Sequence, residues 1–131
     1  MILLDTHVLA WAVGDPQRLS RAAASAFRRG RTSGGLAISA VTLWELALLF
    51  ARGQVRGAGT VENSIQLMID AAGVSVRPLT PTIAALATQF PEDYPRDPAD
   101  RLIGATARAE GLILITRDEQ IRKSKLLKTI W

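Results

Sequence analysis

The sequence predicts an α/β fold: one domain over residues 1–131, with a short parallel sheet of about four or five strands flanked by helices. Three observations predict it. Short runs such as "LAISA" (36–40) and "LILIT" (112–116) are apolar at successive positions, as strands covered on both faces must be. Helical patterns separate these runs, which is the alternation that gives a parallel sheet between helices. No repeat, low-complexity tract or long linker divides the 131 residues, a length typical of one domain.

Taken in order, "MILL" (1–4) reads as a buried strand followed by a helix from about Thr6 to Val13. A second helix lies in "DPQRLSRAAASAFRRG", with Ser20 as its N-cap and Gly30 as its stop. After the turn-rich "RTSGG", the strand "LAISA" runs into the helix "VTLWELALLFARG". Thr60 caps a helix that continues to Ala72 and is ended by Gly73, and "VSVRPL" (74–79) is a third strand. Thr80-Pro81 opens another helix, with Ile83, Leu86 and Phe90 at helical spacing. The loop "PEDYPRDP" leads into a last helix, and "LILIT" makes the fourth strand.

Composition narrows the class. Hydrophobic residues make up 48% and charged residues 21%, which suits a packed globule and not a disordered chain. No apolar run approaches the roughly 20 residues of a membrane span. The apolar start has no basic leading region and carries Asp5, which argues against a signal peptide. Cysteine is absent, so disulfides and thiolate metal sites are excluded, and a cytoplasmic location is expected. The net charge is +4, and arginine outweighs lysine, whose three copies, Lys123, Lys125 and Lys128, all lie near the end. Such a surface suits a phosphate backbone or an acidic protein partner.

In parallel sheets, ligands bind beyond the carboxyl ends of the strands, and acids stand there. Asp5 directly follows the first strand; as a helix N-cap or as a ligand it would occupy the same place. Glu45 is the only ionisable side chain between Leu36 and Ala51, and it continues a polar line through Ser39 and Thr42. A lone carboxylate in apolar surroundings is neutralised, paired with arginine, or functional. Asp97-Pro98 makes a good N-cap and first-turn pair, so Asp97 is a cap or a secondary acid. Asp100 shares its helical sector with Ile103, Gly104 and Ala107, which aims it toward packed protein. Asp118 lies two residues past the last strand, where a turn aspartate is ordinary and a ligand is well placed.

Carboxylates gathered at one edge require protons or cations, because two of them about 4 Å apart repel by about 4 kcal/mol at an effective dielectric of 20. An all-oxygen donor set favours Mg²⁺ or Mn²⁺, and carboxylate-bound Mg²⁺ typically serves phosphate chemistry. His7 is read as packing or hydrogen bonding at a helix start. Trp11, Trp44 and Trp131 are read as core or interface residues because their neighbours are aliphatic. An aspartyl-phosphate phosphatase or a D-x-E exonuclease would need an acid where His7 stands, and a receiver domain would need an earlier lysine. The remaining alternative is a non-catalytic RNA- or protein-binding module.

The ordered set "LLDTHVLAWAVGDPQRLS", "ISAVTLWELALLFARGQV" and "RDPADRLIGATARAEGLILITRD", with a terminal Trp131, resembles the PIN-domain ribonucleases, specifically the VapC-type toxins of toxin–antitoxin modules. The likeness runs nearly the whole chain and implies a PIN-like three-layer domain. It matches Asp5, Glu45, Asp100 and Asp118 to the family's acidic quartet, Asp97 to an additional aspartate, and Thr116 to a supporting threonine. It further implies a Mg²⁺- or Mn²⁺-dependent endoribonuclease, with Asp5, Asp100 and Asp118 as metal ligands. A homodimer and a cognate VapB-type antitoxin would accompany it. Which RNA is cut, how many ions are held and how a dimer is arranged have no signature in the sequence.

Overall fold

A computed structural model describes residues 1–131. The strands β1 (Ile2–Leu4), β2 (Leu36–Ser39), β3 (Val74–Arg77), β4 (Ile113–Ile115) and β5 (Thr129–Ile130) form one sheet in the order β3-β2-β1-β4-β5. Every neighbouring pair is parallel, with Ile2 opposite Leu36 on one side and Ile113 on the other. From β1 the chain first winds outward through β2 and β3. It then returns to the other side of β1 for β4, so the winding direction reverses between β1 and β4. At such a reversal the connections leaving the two strands diverge and open a crevice at their carboxyl ends.

Side chains alternate across the sheet, and each face carries its own core. Leu4, Ile38 and Ile115 pack under α1 (Thr6–Gly14), α2 (Arg21–Thr32), α3 (Ala40–Ala51) and α4 (Val61–Ala72), meeting Leu9, Phe27, Leu46 and Met68. Leu3, Ala37 and Leu114 face α5 (Pro81–Ala87), α6 (Pro98–Glu110) and α7 (Glu119–Arg122), meeting Ile83, Ile103 and Ile121. The expected three layers result.

Capping follows the sequence closely. Ser20, Thr60 and Thr80 each accept a hydrogen bond from the backbone N–H three residues on, and Gly73 ends α4 at φ +69°. Gly30 departs from expectation: α2 continues to Thr32. The glycine instead gives β2 room, since a Cβ there would collide with the Leu36 side chain, and the turn falls at Gly34 and Gly35, both at positive φ. Phe90 lies beyond α5, which stops at Ala87. Its ring is buried by stacking on Tyr94, with centroids 4.0 Å apart. The strand β3 is an edge, with Ser75 and Val76 exposed, so it is not covered on both faces as its composition suggested. Neither α7 nor β5 was assigned from sequence, though a fifth strand was within the expected range.

The Phe90–Tyr94 pair fixes the start of α6. Tyr94 is fully buried, and its hydroxyl donates to the Asp100 backbone carbonyl at 2.9 Å. This approach is possible because Gly104 has no side chain: a Cβ there would stand 2.3 Å from the Tyr94 hydroxyl oxygen and 2.9 Å from Phe90. Gly104→Ala is therefore expected to destabilise the fold by about 1–3 kcal/mol through overpacking, outweighing alanine's better helix propensity. Chemical denaturation would show a lower midpoint; an unchanged midpoint would mean the ring shifts freely.

Candidate active site

The crevice at the reversal point holds the predicted acids. Asp5, Glu45, Asp97, Asp100 and Asp118 line one cleft of about 440 Å³, together with His7, Trp11 and Arg117. Four segments deliver them: Asp5 leaves β1, Glu45 projects from α3, Asp97 and Asp100 open α6, and Asp118 follows β4. Because each helix runs back antiparallel to the strands, the N-terminal turn of α6 sits at the edge where β1 and β4 end.

A set of threonines fixes the acids. The Asp5 carboxylate accepts from the Thr6 backbone N–H at 2.9 Å and from the Thr116 hydroxyl at 2.7 Å. Thr116 in turn accepts from the Asp118 backbone N–H at 3.1 Å, tying the ends of β1 and β4 together. Glu45 accepts from the Thr6 hydroxyl at 2.5 Å, and Thr6 also shares a hydrogen bond with Thr42 at 3.0 Å. Thr6, Thr42 and Thr116 are buried, so their hydroxyls have little water to turn to. The polar line read along α3 is thus real, and Thr6 is the member that sequence reasoning missed. Only its place after Asp5 in "LLDTH" could have pointed to it.

Asp97 and Asp118 combine two positions. Asp97 caps α6 by accepting from the Ala99 N–H at 2.7 Å, and Asp118 caps α7 by accepting from the Ile121 N–H at 3.1 Å. Asp100 differs from its companions: its carboxylate takes no hydrogen bond from the chain, while its helix packs through Ile103, Gly104 and Ala107 as its sector required.

No salt bridge of the protein reaches these acids, although Arg117 and His7 line the same cleft and His7 acts to lower the Asp5 and Glu45 carboxyls. The chain's ion pair joins Arg77 to Glu110 at 2.6 Å, away from the cleft, so the arginine-paired reading of Glu45 does not hold. Arg101 turns to the Phe90 carbonyl at 3.5 Å and not to an acid. Burial, followed by repulsion from Asp5, Asp97, Glu45 and Asp118, pushes the Asp100 carboxyl up to about 7. Burial also raises Asp5 and Glu45 above the ordinary carboxylate range, against the lowering effect of their threonine donors. The cluster thus binds protons more tightly than free carboxylates do, and a bound cation would relieve the same strain.

The donor set suits a small hard cation. No three of the His, Asp and Glu side chains close on one point as a ready-made cage. Threonine and backbone donors hold Asp5, Glu45, Asp97 and Asp118 in their separate positions. Mg²⁺ is commonly bound through one or two carboxylates with several retained waters, and a cleft with one free carboxylate and tethered acids around it fits that habit.

His7 packs against the Trp11 ring, with centroids 5.8 Å apart, as its packing reading expected, whereas the core half of the core-or-interface reading of Trp11 does not hold. His7 is exposed at the cleft, and Trp11 is half-buried on its wall instead of in the core. Trp44 is 63% exposed, so it contributes nothing to either core of the isolated chain. Trp131 does pack on the core through the α1–α4 side.

Fold and site together define an α/β domain with a carboxylate cleft at the switch point of a parallel sheet. The chain belongs to the PIN domain family, whose family model matches residues 2–125. It is 38% identical to Ribonuclease VapC22 of Mycobacterium tuberculosis over 132 aligned positions, covering 99% of this chain and 98% of that protein. Among solved structures, the fold matches a chain of VapBC2 from Rickettsia felis bound to a promoter DNA fragment, with TM-score 0.73 and 15% identity, covering 98% and 97% of the two chains. It also matches a chain of DNA-bound VapBC from Salmonella typhimurium, with TM-score 0.70 and 18% identity over 98% and 97%. No helix is long and apolar enough to cross a membrane.

Proposed function

We propose that this chain is a Mg²⁺- or Mn²⁺-dependent endoribonuclease, the toxin of a toxin–antitoxin pair. The observation that carries this reading is the convergence of Asp5, Glu45, Asp100 and Asp118 on one cleft with no arginine or lysine paired to them. The 38% identity to a ribonuclease supports RNA as the substrate class. A VapB-type protein partner is supported by the VapBC complexes among the structures sharing the fold. A second copy of the chain, forming a homodimer, belongs to the same reading.

Asp5 and Asp100, with Asp118, would hold the ion, some contacts passing through water. When bound, the ion would neutralise charge on the phosphate oxygens and lower the pKa of a water. The protein's own residues supply orientation and proton handling. Thr116 keeps the Asp5 carboxylate turned toward the cleft. Glu45, with one oxygen held by Thr6, offers its other oxygen to accept a proton from the attacking water. Arg117 stands at the cleft mouth, suited to a neighbouring phosphate.

Purified protein is expected to cut single-stranded RNA with added Mg²⁺ or Mn²⁺ and to stop with EDTA. Cleavage indifferent to chelation would refute the metal-dependent reading. Thr116→Val keeps the volume and removes the donor to Asp5, and should slow cleavage by about 10- to 100-fold. A rate equal to wild type would show that this tether does not orient the acid.

A further inference from the structure

Beside the acid cleft lies a second recess of about 440 Å³, bordered by residues including His7, Trp11, Arg18, Gln54 and Arg56. His7 and Trp11 line both spaces, so the two are adjacent and share a border. Trp11 is gripped from several sides. The Arg18 guanidinium lies 4.6 Å from the indole centroid, and Arg117 lies 5.7 Å away on the acid-cleft side. His7 and Trp131 meet the ring at tilted angles, with centroids 5.8 and 6.0 Å distant. The opposite wall comes from the segment after α3, which folds back so that the Gln54 and Val55 backbone N–H groups both donate to the Leu49 carbonyl. The recess is therefore shaped before any ligand arrives. Its charged side chains are Arg18 and Arg56 against the single acid Asp15, a balance opposite to that of the neighbouring cleft.

We propose that this recess receives the nucleotide adjacent to the one whose phosphate is cut, an inference that rests on the ribonuclease reading. The base stacks on the outer face of the exposed Arg18 guanidinium, which the Trp11 ring backs from beneath, since guanidinium planes held by aromatic rings serve as stacking platforms for single-stranded RNA. Arg56 meets the backbone phosphate, and Gln54 presents an amide able to hydrogen-bond a base edge. The arrangement gives acids and cations separate tasks: the acid cleft addresses the scissile phosphate, while the basic recess anchors and selects the strand beside it.

Gln54 and Arg56 are exposed and lie outside the acid cleft, so their replacement leaves the fold and the reacting groups intact. The test measures anisotropy of a fluorescein-labelled single-stranded RNA of about eight nucleotides in EDTA, where the metal-dependent reading allows binding without turnover. Arg56→Ala should weaken binding by about tenfold and make the slope of log Kd against log salt shallower by about 0.7, the value for one phosphate contact on a single strand. Trp11→Leu, which removes the ring that holds the Arg18 guanidinium in place, should weaken it by about 5- to 150-fold, the range that loss of base stacking gives. With metal present, Gln54→Ala and Arg56→Ala should raise KM and leave kcat unchanged, and Gln54→Ala should alter which sites are preferred. Wild-type cleavage with affinity, KM and site preference unchanged in both surface variants would overturn this proposal alone. A wild type that neither binds nor cuts RNA would remove the ribonuclease reading as well. Loss of a copurifying protein partner from the variants, with RNA affinity unchanged, would make the recess a peptide site and overturn the nucleotide assignment.

Discussion

Asp100→Asn is expected to reduce RNA cleavage by on the order of 100-fold or more while making the metal-free protein more stable at neutral pH. The two effects have one cause. Asp100 carries the free carboxylate of the cleft, which makes it the best-placed direct ligand and also the acid least compensated by the chain's own donors. Asparagine keeps the shape and removes a charge held against Asp5, Asp97, Glu45 and Asp118. After allowance for solvent screening at this partly exposed group, a gain of roughly 1 kcal/mol, or about 3–5 °C in melting temperature, is reasonable. Thermal melts with EDTA and cleavage assays with Mg²⁺ give the two readings. A variant that is inactive because it is unfolded would melt lower than wild type, and that result would contradict the account.

The second large effect is a reversal in how stability depends on pH when metal is added. In the folded protein the Asp100 carboxyl is raised to about 7, above its unfolded value of about 3.9. Between these values the folded state holds more protons than the unfolded state, so stability falls as pH rises from about 4 to about 7 and then levels off. Asp5 and Glu45 are raised as well and act in the same direction. Mg²⁺ competes with these protons, so its stabilisation is small near pH 5 and large near pH 8. At a free concentration of 100 times Kd it reaches about 2.7 kcal/mol. Melting curves of wild type and Asp100→Asn across this range isolate the cluster, because the variant should lose most of both the slope and the metal response. A wild type whose melting temperature ignores millimolar Mg²⁺ and Mn²⁺ at about pH 8 would be strong evidence against a metal site.

Much of the site was legible because strand ends are legible. Asp5 and Asp118 stand where apolar runs stop, and Asp97 precedes a proline at the first position of a helix. Asp100 followed from helical spacing to Ile103, Gly104 and Ala107, all buried. The threonine network was only half legible. Its hydrogen bonds join residues 36, 39 and 111 positions apart, and a hydroxyl in an apolar run gives no sign of which distant carboxylate it will meet. The strand β5 has two residues, too few to show a period, and exists by pairing with β4. Gly30 read as a helix stop because composition cannot show that a strand's leucine will fill the space where its side chain would be. The core alternative for Trp11 failed for a related reason: its sequence neighbours are aliphatic, but its spatial neighbours include two arginines and a histidine.

The most direct test of the central claim is an anomalous difference map from crystals of this protein grown or soaked in MnCl₂ at a concentration that supports RNA cleavage. The account predicts a peak in the cleft against the Asp100 carboxylate, with Asp5 and Asp118 reached directly or through water. A cleft without such density under those conditions, or manganese bound only elsewhere on the protein, would contradict it.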